Sequence, residues 1–140
     1  MFPLNTRILI VDDISSLREL LKAYLRRLGY KDIVEAVDGQ EAYQVLVSSK
    51  SSSMGVGIGL VISDWNMPNL SGLDLLKLIR ANPDWKSLPF LLTTTENEKH
   101  KVIEAIQSGA SNYMVKPVEE ATLKEKLERT WEKLNPLIQK

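Results

Sequence analysis

Short apolar runs alternate along the chain with longer segments whose apolar residues repeat at helical spacing. The first run, residues 7–11, is almost continuously apolar and stops at two consecutive aspartates, as expected of a parallel strand covered on both faces. Four further runs have the same character, and they occupy residues 33–37, 60–63, 90–93 and 112–115. The pattern therefore predicts five strands separated by helices.

The strongest helical signal follows the first strand, where apolar residues recur every three or four positions between Leu17 and Leu28. Ser16, with Glu19 three residues later, predicts the N-terminal cap of this helix, and Gly29 predicts its end. We therefore expect the first helix to lie between these two signals.

The second helix is predicted to begin at Asp38, because Asp38 and Glu41 have the spacing of a capping box, and to fade near Ser48. Residues 48–59 are rich in serine and glycine, a composition that favours a flexible surface loop. We interpret this segment as an insertion in an otherwise regular alternation.

Three more helices complete the pattern. Ser71 predicts the cap of the third helix, which should end near Asn82. The fourth is predicted over residues 98–107, and the apolar side chains that we expect it to bury are Val102, Ile103 and Ile106. The apolar residues of the last helix are Leu123, Leu127, Trp131 and Leu134.

Five strand–helix units predict an α/β fold with a doubly wound parallel sheet and helices on both of its faces. A chain of 140 residues fits one domain of this kind. We therefore expect a single domain over residues 1–140, with a core from about residue 5 to residue 134 and the insertion at about residues 48–59.

The composition limits the possible chemistry. The chain has no cysteine and one histidine, His100, which excludes disulfides, thiolate zinc sites, cysteine nucleophiles and multi-histidine metal centres. Its 18 basic and 18 acidic residues cancel, so we expect no nucleic-acid or membrane partner attracted by overall charge. The longest apolar run, residues 56–62, is far shorter than a membrane-spanning helix, and we expect a cytoplasmic protein.

Polar side chains capable of chemistry follow four of the five predicted strands. They are Asp12 and Asp13 after the first strand, Asp64 after the third, Thr94 after the fourth and Lys116 after the fifth. Because ligands of open parallel sheets bind at the carboxyl ends of the strands, we expect these side chains to converge on one pocket. A single aspartate after a strand is often only a turn residue, but its combination with a threonine and a lysine favours a site.

Three carboxylates in one pocket repel one another, so without a cation at least one of their pKa values should rise. Oxygen ligands without histidine or cysteine suit Mg²⁺, which keeps several waters and favours sites shared with phosphoryl groups. We therefore predict phosphoryl chemistry with Asp64 as the nucleophile. Lys116 would offset charge on the phosphoryl oxygens, and the Thr94 hydroxyl would donate a hydrogen bond to one of them.

Several motifs around these residues resemble those of response-regulator receiver domains. In the order and spacing typical of that family, and across nearly the whole chain, they occupy residues 64–69, 71–73, 88–89, 109–111, 113–117 and 121–123. The resemblance implies a flavodoxin-like three-layer fold with strand order 2-1-3-4-5 and a cis Lys116–Pro117 bond. It also implies a signalling domain that catalyses only its own phosphorylation and dephosphorylation.

By position, the resemblance implies that Asp64 accepts a phosphoryl group from a sensor histidine kinase, with Mg²⁺ as cofactor. The Mg²⁺ ligands that it implies are Asp12, Asp13, Asp64 and the carbonyl of Asn66. Thr94 and Lys116 would be the switch residues. Asn66 and Glu96 would tune the lifetime of the acyl phosphate by controlling access of water.

The implied output surface is formed by the fourth helix, the fifth strand and the fifth helix. Its residues are Lys99, Val102, Ile106, Tyr113, Lys126 and Arg129. Tyr113 corresponds to an aromatic residue that changes between exposed and buried rotamers as Thr94 shifts, so phosphorylation would bias a two-state equilibrium. The implied partners are a chemotaxis-type sensor histidine kinase and the flagellar motor switch or another downstream target, with a phosphatase as a further candidate.

Three alternatives remain open. A phosphorelay shuttle would use the same site and pass the phosphoryl group to a second histidine. An aspartate-nucleophile phosphatase would also use Mg²⁺, but Asn66 stands where such enzymes have a second aspartate two residues after the nucleophile. A flavin-binding protein of this fold would need a first loop that cradles phosphate, and Asp12 and Asp13 would repel that phosphate.

Overall fold

Strands and helices alternate through the residues that the structure, a computed structural model, describes: 1–51, 57–95 and 99–135. In chain order the elements are β1 (Ile8–Val11), α1 (Ser15–Arg27), β2 (Ile33–Ala36), α2 (Gly39–Ser51), β3 (Leu60–Asp64), α3 (Gly72–Ala81), β4 (Phe90–Thr94), α4 (Lys99–Gln107), β5 (Asn112–Val115) and α5 (Glu120–Leu134). The strands form a parallel sheet in the order β2-β1-β3-β4-β5, which confirms the predicted fold class and strand order. None of the described helices has the length and apolar character needed to cross a membrane.

The central strands are covered on both faces. Every residue of β1, β3 and β4 is buried, whereas the edge strands β2 and β5 contain half-buried residues. β1 lies between β2 and β3, so that Ile10 pairs with both Glu35 and Ile62. This burial explains why the central strands are near-continuous apolar runs in the sequence.

Alternate residues of the strands supply two hydrophobic cores, one on each face of the sheet. Leu9 and Val11 contribute to the core that α2, α3 and α4 cover. Ile8 and Ile10 contribute to the core that α1 and α5 cover. Burying each of these side chains is worth roughly 1.5–3 kcal/mol, so the two cores hold the helices on the sheet.

The first helix begins differently from the prediction. α1 starts at Ser15 with Ile14 in the N-cap position, and Ser16 lies within the helix, so the predicted Ser16 cap is wrong. The Ile14 amide donates to Oδ1 of Asp12 at 2.9 Å. Because an aspartate can accept from the amide two residues later, Asp12 organises this turn and no serine cap is needed.

The second helix is longer than predicted. It ends at Ser51, so residues 48–51 of the predicted loop are helical, and residues 52–56 of that loop lie outside the described part of the chain. Serine has only moderately low helix propensity, so a serine-rich composition did not end the helix. The predicted Asp38 cap is confirmed, because the Glu41 amide donates to Oδ1 of Asp38 at 2.8 Å.

The predicted burial of the fourth helix is wrong. Ile103 and Ile106 are 44% and 48% exposed, and Val102 is half-buried. Ala105 is buried instead. Because α4 lies against the edge strand β5 and packs through a small residue, its larger apolar side chains lie away from the core.

Gly72, the first residue of α3, packs against the end of the strand that carries Asp64. Its amide donates to the Trp65 carbonyl at 2.8 Å, and an added Cβ would overlap the Asp64 carbonyl oxygen. We predict that Gly72→Ala lowers the free energy of unfolding by about 1–3 kcal/mol, the usual cost of overpacking, as measured by urea denaturation. Gly57→Ala is the control, because a Cβ there meets no atom of the described residues within 4 Å. Equal losses in both variants would contradict the packing explanation.

Candidate functional site

Residues from four strand ends lie at the carboxyl edge of the sheet. They are Asp12 and Asp13 after β1, Asp64 at the end of β3, Thr94 at the end of β4 and Lys116 after β5. One carboxylate oxygen from each of the three aspartates lies within 4.8 Å of the other two. The predicted convergence of the carboxylates is therefore confirmed.

Lys116 bridges two of these carboxylates. Its Nζ lies 3.2 Å from Oδ2 of Asp12 and 3.1 Å from Oδ1 of Asp64. Its backbone amide donates to the Thr94 carbonyl at 2.7 Å, and its bond to Pro117 is cis, as expected. Because Asp12 is 1% exposed and Asp64 is 8% exposed, two buried anions share one cation.

Within the described part of the chain, only one oxygen of the Asp64 carboxylate has a hydrogen-bond donor or cation beside it. Oδ1 accepts a hydrogen bond from the Trp65 amide at 2.8 Å and contacts Lys116, whereas Oδ2 accepts none from the described residues. Burial raises the pKa of Asp64, Lys116 opposes that rise, and the nearby Asp12 charge adds to it. The expectation of a raised carboxylate pKa is confirmed, but burial rather than mutual repulsion is its main cause.

The donors in the pocket fit Mg²⁺. Lys116 pairs with two of the three clustered carboxylates, so a divalent cation would balance the remaining negative charge. The Asp13 residue is exposed, which leaves the pocket open to the waters that Mg²⁺ retains. Asn66, the fourth predicted ligand, is exposed on the loop that follows Asp64.

A second set of contacts, which the sequence interpretation missed, holds the loop after Asp64. Asn69 has a φ of 68°, and its side-chain amide donates to Oδ2 of Asp38 at 2.6 Å. The first amide of α2 donates to the Leu70 carbonyl at 3.2 Å. The Glu41 amide, followed by Asn69, holds the pKa of Asp38 below its usual value, so Asp38 keeps the charge that these contacts use. The sequence indicated Asp38 only as a helix cap, because its contact with Asn69 spans 31 positions.

The residues predicted for the α4 part of the output surface lie at the start and middle of that helix. Lys99 is its first residue, and the Lys99 side chain lies outside the described part of the chain. Val102 is half-buried, and Ile106 is among the more exposed apolar residues. Glu96, predicted to tune the lifetime of the phosphoryl group, also lies outside the described residues.

The remaining output residues lie on β5 and α5. Tyr113 is half-buried on β5, and Nζ of Lys126 on α5 lies 4.7 Å from the centroid of its ring. This cation–π contact joins the two elements. Arg129 is exposed and pairs with Glu125 at 3.1 Å within α5.

Comparison with known protein families identifies the family of this chain. A sequence profile described as the response regulator receiver domain matches residues 8–128. The chain belongs to the response regulator receiver family. The match spans the strand ends that supply the pocket, and receiver domains are signalling domains rather than classical enzymes.

Individual relatives of this receiver include chemotaxis proteins. Chemotaxis protein CheY-3 of Vibrio cholerae is 45% identical to it over 130 residues, covering 93% of this chain and 95% of CheY-3. The structure of CheY4 of V. cholerae matches with a TM-score of 0.76 and 32% identity, covering 90% of this chain and 98% of CheY4. A third match is the receiver domain of a sensor histidine kinase from Pseudomonas aeruginosa, in a structure with a magnesium ion coordinated in the active-site cleft. Its TM-score is 0.72 and its identity 26%, covering 89% of this chain and 96% of that domain. The chain is thus a receiver of the CheY-like chemotaxis type.

Because burial makes the Asp64 charge unfavourable, we predict that Asp64→Asn raises the melting temperature of the metal-free receiver near neutral pH. The pKa of Asp64 is higher in the folded than in the unfolded state, so the cost of its charge is complete above the folded pKa. That cost disappears as the pH falls below the unfolded pKa of about 3.9. Thermal unfolding in EDTA should therefore show a higher melting temperature for Asp64→Asn than for the wild type at neutral pH. This difference should become smaller in acid.

The control for this measurement is Asp74→Asn, which changes an exposed aspartate on α3 and should give no such gain. A lower melting temperature for Asp64→Asn than for the wild type at neutral pH would contradict the burial argument.

Proposed function

We propose that this receiver accepts a phosphoryl group on Asp64 from a CheA-like sensor histidine kinase. The observation that carries the proposal is the asymmetry of the Asp64 carboxylate. Oδ1 is held by Trp65 and Lys116, and Oδ2 is left for attack on phosphorus. A nucleophile fixed through one oxygen presents the other in a defined direction, which favours an in-line displacement.

In the proposed step, Oδ2 of Asp64 attacks the phosphorus of a phosphohistidine. A P–O bond forms while the P–N bond breaks, and the departing imidazole nitrogen keeps the electron pair of the broken bond. The product is an acyl phosphate on Asp64. Lys116 then donates to a phosphoryl oxygen in place of the lost carboxylate charge, and the Thr94 hydroxyl donates to another.

Mg²⁺ is the proposed cofactor. When bound, it would offset the charge of the carboxylates and of the phosphoryl group. The proposed ligands are Asp12, Asp13, Asp64 and the carbonyl of Asn66. The all-oxygen donor set supports this assignment, as does the magnesium ion in the receiver domain from P. aeruginosa. Asn66 and Glu96 are proposed to control access of water to the acyl phosphate.

Phosphorylation is proposed to act on the output face, defined by Lys99, Val102, Ile106, Tyr113, Lys126 and Arg129. Backbone hydrogen bonds and strand pairing connect the pocket to this face, which supports the proposal. The Lys116 amide bonds to the Thr94 carbonyl, and β4 pairs with the strand that carries Tyr113. The exposed Ile106 offers apolar surface that a partner could bury. A shift of Thr94 toward the phosphoryl group would therefore bias the conformation of this face.

The proposed pathway is chemotaxis, with the flagellar motor switch as the target and a phosphatase as a further candidate partner. Identity of 45% across 95% of CheY-3 supports this role, and we propose that the receiver domain over residues 1–140 acts in the cytoplasm. A phosphorelay shuttle would share both the fold and the phosphorylation site. Binding of the target therefore decides between the two roles.

We predict that acetyl phosphate with Mg²⁺ adds the mass of one phosphoryl group to the wild-type protein and none to Asp64→Asn, as measured by intact mass spectrometry. Asp74→Asn is the matched control and should be modified like the wild type, because Asp74 is exposed on α3 and lies outside the carboxylate cluster of Asp12, Asp13 and Asp64. Modification of Asp64→Asn to the wild-type extent would refute Asp64 as the acceptor.

We predict that Tyr113→Ala accepts the phosphoryl group normally but binds the flagellar motor switch protein at least about fivefold more weakly, the loss typical of an interface residue worth about 1 kcal/mol. Calorimetry with the phosphorylated proteins measures the affinity. Tyr43→Ala, which changes an aromatic residue on α2, is the control. Unchanged affinity of Tyr113→Ala would remove Tyr113 from the output face, and absence of binding by the phosphorylated wild type would favour a phosphorelay role.

A further inference from the structure

The peptide bond between Asp12 and Asp13 is held from outside the pocket by an arginine. Nη1 of Arg18 on α1 donates to the Asp12 carbonyl oxygen at 2.6 Å. Nε of the same guanidinium donates to Oε1 of Glu35 at 3.0 Å. The Arg18 side chain is 15% exposed, so both bonds are largely shielded from competing water.

Glu35 is itself fixed by the sheet and by a second cation. It pairs in register with Ile10 on the neighbouring strand, and its Oε2 accepts from Nζ of Lys22 at 2.9 Å. The hydrogen bond from Lys22, followed by that from Arg18, lowers the pKa of Glu35 below its usual value. Glu35 therefore remains an anion that anchors one edge of the guanidinium.

The two acidic residues that the arginine joins differ in how they are oriented. The Asp12 carboxylate is held directly, by the Ile14 amide at 2.9 Å and by Lys116 at 3.2 Å. The Asp13 side chain is exposed and has no hydrogen bond or ion pair with the described residues. The direction of the Asp13 side chain therefore depends on the backbone. The peptide group between Asp12 and Asp13 contains the Asp12 carbonyl, and Arg18 holds that carbonyl. A planar guanidinium with two fixed bonds is suited to this, since it restrains orientation as well as distance.

We propose that Arg18, anchored by Glu35, is a positioning residue that aims the Asp13 carboxylate into the Mg²⁺ site. The inference rests on the proposed Mg²⁺ site and extends it to two side chains that do not touch the metal. Groups that orient metal ligands in this way commonly change affinity about 10- to 100-fold when removed.

The charge of Arg18 and its positioning role predict opposite effects of its removal on the affinity for Mg²⁺, so an experiment can separate the two. Removing a cation close to the pocket would by itself strengthen binding of Mg²⁺ through reduced repulsion. Losing the restraint on the peptide would weaken binding. A weaker affinity in a neutral variant therefore cannot come from the charge of Arg18.

The test is a Mg²⁺ titration of the full chain without phosphodonor, followed by NMR chemical shifts of backbone amides near the pocket. We expect Arg18→Met to bind Mg²⁺ about tenfold more weakly than the wild type. Arg18→Lys keeps the charge but not the two-bond fork, and we expect most of the same loss. Glu35→Gln removes the anchoring anion and should give a smaller loss that persists in about 1 M salt, where the Debye length is about 3 Å.

The matched control is Lys22→Met, which removes the other cation bound to Glu35 but has no contact with Asp12. It should bind Mg²⁺ within about twofold of the wild type. Wild-type affinity in Arg18→Met, or equal losses in Arg18→Met and Lys22→Met, would overturn the positioning role and leave the proposed function intact. Absence of Mg²⁺ binding by the wild type would overturn the proposed metal site and this inference with it.

Discussion

The sharing of one lysine by two buried aspartates is the constraint on which the rest of the site depends. Asp12 and Asp64 lie almost without solvent exposure, so they lose most of the hydration that stabilises a charge. Lys116 compensates in part, and the pKa of Asp64 is still raised. The strand order creates this arrangement, because β1 and β3 are neighbours and the lysine must reach them across β4. A pocket of this kind is prepared for further cations and for transfer of charge to a bound phosphoryl group.

Such a concentration of charge requires loops that do not relax away from it, and three helices restrain the loops after β1 and β3. α3 begins with Gly72 against the Asp64 carbonyl. α2 holds the loop after β3 through Asp38 and Asn69. α1 holds the loop after β1 through Arg18. The helices therefore do more than cover the sheet, since their first turns fix the backbone from which the charged side chains project.

The proposed output face lies close to the pocket because β4 and β5 contribute to both. Thr94 ends one strand, and Tyr113 lies on the next. α4 is the helix most suited to present a changeable surface, since Ala105 attaches it to the core while Ile103 and Ile106 remain largely exposed. Few large apolar contacts hold such a helix, so small changes at the strand ends can shift its balance of conformations.

The sequence by itself determined the alternation of strands and helices and the caps at Asp38 and Ser71, because periodicity and capping are local. It also indicated the polar residues at the strand ends, because parallel sheets gather the carboxyl ends of their strands at one edge. Strand order came from resemblance to a family and not from periodicity. Tertiary structure alone decided which side of α4 meets the core, since helical spacing shows which residues share a face but not what that face contacts. It also decided the bonds of Arg18, because its contact with Glu35 spans 17 positions and depends on the register of β1 with β2. The same holds for Lys116, whose partner Asp12 is 104 positions away and is reached only through the packing of the whole sheet.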